Sequence, residues 1–498
     1  MEISFKSRES SVYRECFFQT KRTQESAECV VPDTESDIEK IAAVQSSILL
    51  KSKDFTARGV LISGEVSACV LYIREGQDGI SGLRLRKEFS LEFETEEVSD
   101  AVAEVVLRVQ GTDVRVVNPR KVAALFEIEA ELSCYRSGSL CTQTLAEDAA
   151  EYALHMRTET SVLTLPNAVT EKSFAVNEQL TFPAGTPQPA KLLSEKAELL
   201  TADCQLIGSK LILKGSAEIA ACTLAEDAEV PVLSRFSAPF SQIVDLGIDG
   251  MTACMPYVEL TGAYFDLIDG INGEKLLDLE LHAVVQLVCS GSFGISCVAD
   301  AYSNRMPAEL LRETVSCQGL TPEQKTVFTA QERLSLAEDC AELLCVFPSL
   351  SRLTNEQGSI SAAVNLDLLY RNGDGALSAG RRTLAVGGEL AAAAPRFLDA
   401  RVLRVDAKAE GQEIDCRVEV ECRCCGSTGQ ELTLVKGLIL DEENAFADGA
   451  FPTLTLARAR GESLWSLAKR FHSSVESIRT LNEDAESSDK MLLIPKCI

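Results

Sequence analysis

The chain repeats itself with a period close to 150 residues, which limits the folds open to it more than any local motif does. Pro32 closes Glu28-Cys29-Val30-Val31-Pro32 and Pro183 closes Gln179-Leu180-Thr181-Phe182-Pro183. At the same spacing Ile41 falls on Leu192, Gly64 on Gly215 and Phe89 on Phe240. The run 59–68 reads against 210–219, and a third copy, 359–370, reads against 61–72 with Tyr370 on Tyr72. This third copy is shorter ahead of the match and lacks the Pro32-Asp33 turn. Three units of this size, with a short remainder, suit a 498-residue chain at about 100–200 residues per domain.

Within the units apolar residues recur at every second position. Glu127-Ile128-Glu129-Ala130-Glu131-Leu132, Arg417-Val418-Glu419-Val420-Glu421-Cys422 and Leu277-Asp278-Leu279-Glu280-Leu281 all alternate. That period places apolar residues on one face of a strand and acids on the other, predicted to be solvated. Turn signals at Gly76-Gln77-Asp78-Gly79, Asp269-Gly270-Ile271-Asn272-Gly273 and Arg371-Asn372-Gly373-Asp374-Gly375 mark hairpins. The expected fold is mainly β: three tandem antiparallel β-sandwich-like repeats (or half-open barrels) followed by a small βααβ unit. The boundaries are 1–150, 151–305, 306–448 and 449–498. Ala- and Glu-rich connections at 145–156 and 306–315 are expected to be short helices, and Asp300-Ala301-Tyr302-Ser303 to be a linker.

Composition narrows the chemistry. Forty-eight Lys and Arg against 75 Asp and Glu give a net charge of −27, which repels phosphate and disfavours nucleic acid and anionic membrane as partners. No basic start followed by an apolar run and no span of 18 apolar residues is seen, so no export signal or membrane insertion is expected, and the location is taken as cytoplasmic. Most of the 18 cysteines lie singly in apolar runs, as Cys69 and Cys222 do, and read as reduced, buried thiols. The densest group, Cys416, Cys422, Cys424 and Cys425, lacks the paired turns of a zinc site, although Cys422 and Cys424 share a strand face and leave metal binding or oxidation open. Only three histidines occur, and no phosphate loop, nucleophile elbow or His-Glu-x-x-His helix is present. No catalytic residue, metal site or cofactor is expected, and the protein is read as a non-enzyme.

The last fifty residues change period. Leu464, Leu467, Ala468 and Phe471 fall at i, i+3, i+4 and i+7, one face of a two-turn helix. Ser473-Ser474-Val475-Glu476 has capping-box spacing for a second helix through Ile478 and Leu481 to Asn482. Leu454-Thr455-Leu456 and Met491-Leu492-Leu493-Ile494-Pro495 read as flanking strands. Trp465 is expected to be a packing residue and His472 a solvated residue at a helix end. This segment resembles the LysM domain, through Gly461, Leu464, Trp465, Ala468, Val475, Ile478, Leu481, Asn482, Ile494 and Pro495. It departs at Glu462-Ser463, where Asp-Thr is usual, and at Ser488-Asp489, where Pro-Gly is usual. The resemblance implies a binding site in two loops: Gly461, Glu462, Ser463 and Leu464, with Asn482, Glu483, Asp484 and Ala485.

Three acidic β repeats ending in one LysM unit are similar to the SPOCS-domain proteins of endospore formers. The residues that carry this are Pro32-Asp33, Asp37-Ile38-Glu39-Lys40-Ile41, Val60-Leu61-Ile62-Ser63-Gly64, Leu71-Tyr72, Asn118-Pro119-Arg120-Lys121 and Asp300-Ala301-Tyr302-Ser303. The resemblance implies a non-enzymatic scaffold or adaptor of spore-coat morphogenesis in the mother-cell cytoplasm at the forespore surface, later part of the spore coat. Its implied partner is a coat-basement ATPase or another coat protein, met through the LysM unit. The alternative is a protein that binds peptidoglycan or a chitin-like N-acetylglucosamine chain through the same unit.

Overall fold

The computed structural model describes residues 2–3, 5–76, 79–96, 98, 100–146, 149–226, 228–356, 358–390, 397–447, 449–459, 461–482 and 491–497. These residues are mainly β, in small antiparallel sheets, with two short helices near the end. The strands are β1 (Glu2–Ile3), β2 (Phe5–Val30), β3 (Ile38–Thr56), β4 (Gly59–Arg74), β5 (Ile80–Glu94), β6 (Ala101–Asn118) and β7 (Lys121–Ala146). Next come β8 (Leu154–Thr181), β9 (Pro189–Ile207), β10 (Lys210–Ala225), β11 (Val232–Asp245), β12 (Met251–Asp269) and β13 (Lys275–Ser303). Then follow β14 (Ala308–Leu320), β15 (Gln324–Glu356), β16 (Ser359–Asn372), β17 (Leu377–Glu389), β18 (Phe397–Cys425) and β19 (Ser427–Leu440). The chain ends with β20 (Leu454–Arg458), α1 (Leu464–Arg470), α2 (Val475–Leu481) and β21 (Met491–Pro495).

Sheets β2-β7-β6 and β3-β4-β5 face each other over one core, in which Val60, Ile62 and Phe93 meet Val122, Phe126 and Ile128. Sheets β8-β13-β12 and β9-β10-β11 enclose a second core around Leu211, Leu213, Leu279 and Leu281. A third lies within the sheet β17-β16-β15-β18, around Val364, Leu366, Val418 and Val420.

Each hairpin sheet carries bulges in its first strand. The ladder from β3 to β4 skips Glu39, Ala42 and Lys51. That from β9 to β10 skips Ala190, Leu193 and Ala202, and that from β15 to β16 skips Ala341, Leu344 and Arg352-Leu353. Successive sets lie 151 residues apart (193 − 42, 344 − 193). Beside the last bulge Gly64 faces Phe89 and Gly215 faces Phe240. A Cβ on Gly64 would lie 2.5 Å from the Phe89 ring and 2.7 Å from the Leu49 carbonyl oxygen, so only glycine lets the ring lie over the backbone. The position matched to Gly64 in the third hairpin sheet is Ala362, which faces Val386.

The longest strands run past the cores. Residues 5–15 pair with 135–146, 154–166 with 290–303, and 308–320 with 427–440, forming three antiparallel ribbons. They share two apolar clusters: Val12 and Leu140, Leu163 and Ile295, Cys317 and Leu432 in one, and Ile3, Leu154, Val298 and Leu438 in the other. At the opposite end Ala42, Leu71, Leu193, Phe347 and Leu369 bring the three hairpin sheets together.

Several expectations are corrected. Residues 306–315 form no helix: Ala308 to Val315 lie in β14, paired to β19, because a ladder partner overrides weak helix propensity. The described residues of 145–156 form the end of β7, a turn and the start of β8 instead of a helix. Asp300 to Ser303 are the end of β13 and no linker. Glu129 is 7 % exposed and Glu131 is half-buried, because the polar face of their strand meets a neighbouring sheet instead of water. Cys254 and Cys289, opposite each other on β12 and β13, are joined as a disulfide, against the expectation of reduced thiols. Cys416, Cys422 and Cys424 point into the third core, whereas Cys425 joins a cluster on the other side. Burial pushes the Cys422 thiol up to about 12. No helix among the described residues is long and apolar enough to cross a membrane.

Gly215→Ala should destabilise the protein by about 1–3 kcal/mol, because the new methyl meets the Leu200 carbonyl and the Phe240 ring. The urea midpoint measures this, with the slope unchanged.

Candidate functional site

The terminal unit is organised by serine caps. Ser463 precedes α1 and its Oγ accepts from Ser466 N at 3.1 Å, while Leu467 and Ala468 are buried below. Ser474, one residue later than the capping-box pattern suggests, accepts from Ser477 N at 3.0 Å and starts α2. β20 and β21 pair from Leu454↔Pro495 to Arg458↔Met491. Their inward side chains, Leu492 and Ile494, join Leu467, Ala468 and Ile478 in one cluster.

The predicted site residues are largely engaged in holding this unit together. Gly461 is exposed with φ 79°, a conformation that suits glycine. Glu462 pairs with Arg470 at 2.9 Å, Ser463 is the cap, and Leu464 packs against the small core. The Asn482 amide donates to Ile478 O (2.7 Å) and Leu493 O (2.8 Å), and its oxygen accepts from Leu493 N (2.8 Å). Among the described residues of the predicted set, none of these side chains hydrogen-bonds to another. Glu483, Asp484 and Ala485 lie outside the described residues.

One side of α1 is docked on the end of β13. Trp465 Nε1 donates to Asp300 Oδ2 at 2.8 Å, and Lys469 Nζ reaches both oxygens of the same carboxylate at 2.8 and 3.0 Å. The Tyr302 ring stands edge-on to Trp465 at 5.0 Å, and its hydroxyl donates to Ser473 O at 2.8 Å. Burial pushes Asp300 up, but the hydrogen bonds from Lys469 and Trp465 and the Lys469 charge outweigh it, so the carboxyl titrates below its ordinary range. His472 is not the solvated residue expected: it packs against Phe446 and Phe451, 4.5 and 3.8 Å between ring centroids. Burial and Lys496 lower its pKa, so it stays neutral at pH 7.

The opposite face of the β20–β21 sheet is open. Leu454, Leu456, Met491 and Leu493 are between 38 and 59 % exposed, and Leu456 stands directly across from Leu493.

A second feature, invisible in the motifs, is a chamber of about 580 Å³ between the three cores. Edge strands β6, β12 and β18 bring Arg108, Glu259 and Arg401 to its wall. Arg108 lies 3.4 Å from Glu129 and 3.8 Å from Glu131, and Arg401 lies 2.6 Å from Glu421. Burial pushes Glu259 up to about 8 and raises Asp399 as well. Among the described residues no group of three His, Cys, Asp or Glu is placed to hold a metal ion.

Compared with known proteins, the chain matches no family model, no curated protein and no solved structure.

Trp465 is the sole tryptophan, so its emission reports docking. Asp300→Asn should weaken docking by roughly 1–2 kcal/mol and shift emission to the red. Because the docked carboxyl titrates low, docking is complete above the ordinary Asp value of about 4 and is lost as pH falls through the docked-state value. A fluorescence titration from pH 7 to pH 2 checks the sign, and Asp300→Asn should flatten it.

Proposed function

We propose that this protein is a non-enzymatic scaffold of spore-coat assembly, made of three SPOCS-type β units and a terminal LysM-type unit that docks protein. The constant spacing of the bulges at Ala42, Leu193 and Leu344 supports a triplicated unit. The partner proposed is a coat-basement ATPase or another coat protein at the forespore surface, in the mother-cell cytoplasm.

The observation that carries the docking role is the open face of β20 and β21. An apolar patch of Leu454, Leu456, Met491 and Leu493 has little use for a hydrated glycan and suits a protein surface. The side bearing Trp465 is already engaged with Asp300 and Tyr302, so the only tryptophan is withheld from stacking on sugar. Charge favours the same end of the chain. Residues 449–498 hold seven Lys and Arg against six Asp and Glu, a net +1, so the other 448 residues carry −28 of the total −27. Repulsion of an acidic partner is therefore weakest at this unit.

Leu456→Ser with Leu493→Ser, both at exposed positions, should leave the fold intact and weaken binding to the ATPase at least about tenfold, or 1.4 kcal/mol. Calorimetric titration of the full chain against the ATPase and against chitin oligomers decides the matter. Tight sugar binding without ATPase binding overturns the docking role in favour of the glycan alternative.

A further inference from the structure

We propose that the central chamber binds a small organic carboxylate carried on an apolar body. At about 580 Å³ it has the size of a small-molecule site, and its walls have the mixed character such sites show. Leu107, Leu350, Leu353 and Val402 supply apolar surface from the first and third parts of the chain. The charged side chains on the wall number six basic to four acidic, inside a chain of net −27. Acids behind the wall hold several of these cations: Glu129 and Glu131 hold Arg108, Glu323 holds Arg423, and Asp367 holds Arg381. Those cations have acid partners without a ligand.

Arg401 and Thr201 carry donors without an acceptor. Arg401 meets Glu421 through Nη2 at 2.6 Å, while its Nε and Nη1 are buried without a hydrogen-bond partner. Thr201 is 3 % exposed, and its hydroxyl is likewise buried without a partner. Both residues line the chamber. A buried donor without an acceptor costs about 1–3 kcal/mol, and more when charged. A carboxylate supplies the acceptors that both lack. Of the acids on the wall, Glu259 and Asp399 are biased by burial toward their neutral forms, whereas Glu198 is held below its ordinary range by the charge of Lys196 and, to a lesser extent, of Arg401. Arg235 and Leu403 line the chamber and are exposed, which marks an entrance.

The test uses the full chain with octanoate and, separately, inorganic phosphate as probes, read by saturation-transfer NMR and calorimetry. Octanoate should bind with a Kd below about 1 mM. Arg401→Gln and Thr201→Val should each weaken it by about tenfold, or 1.4 kcal/mol. Arg404→Gln, at an exposed pair with Asp406, should leave it unchanged. Thr201→Val keeps the shape of the side chain, so it informs even if Arg401→Gln fails to fold. Absence of octanoate binding at 1 mM, binding of phosphate alone, or octanoate affinity indifferent to both variants overturns the proposal.

Discussion

Every strand at the edge of a sheet presents backbone N–H and C=O groups that need partners once water is excluded. Here the partners come from buried side chains of neighbouring sheets. Gln286 accepts from Val105 N at 2.9 Å and donates to Val105 O at 2.7 Å. Glu259 accepts from Leu107 N at 2.7 Å, and Asp367 from Val44 N at 2.8 Å. Gln110 accepts from Leu353 N at 3.0 Å, at the bulge where β15 loses its ladder partner. The bulges and these side chains are therefore one device: a strand that leaves its own ladder is completed by its neighbour. Truncating any of the four acceptors strands a buried N–H, at a cost of about 1–3 kcal/mol. The ion pairs around the chamber add less, since desolvation offsets much of their attraction.

The strands were legible in the sequence because alternation and glycine turns are local signals. What lay beyond reach was which polar face meets another sheet. Glu127 and Glu129 alternate alike, yet Glu127 is exposed and Glu129 is paired with Arg22 and Arg108. Residues 306–315 misled because Ala, Glu and Leu suit a helix, while the ladder that decides the matter lies more than a hundred residues further on. The Cys254–Cys289 bond joins residues 35 apart and announces itself by no motif. The chamber was equally hidden, since Arg108, Glu259 and Arg401 meet only through three separate edge strands.

In the terminal unit both helices could be read from spacing, though the cap of the first falls on Ser463, and Asp300 and Tyr302 stood in a run already noted for its resemblance. That Trp465 and Lys469 close on Asp300, 165 and 169 residues away, needed the fold. The unit thus has two unlike sides: polar and aromatic contacts bind one to the body, and leucines and a methionine cover the other.

The pairing of Glu2 and Ile3 with Ile439 and Leu438 has a temporal consequence. β1 cannot find its partner until residue 440 has left the ribosome, about 20–90 s after β1 itself is made at ordinary elongation rates. Meanwhile the first ribbon, with Val12 and Leu140, waits with its apolar side uncovered. Such late closure between segments so far apart in sequence raises contact order and exposes the nascent protein to premature association. Its assembly during synthesis is therefore a race between completion of the last ribbon and capture of the first by another molecule.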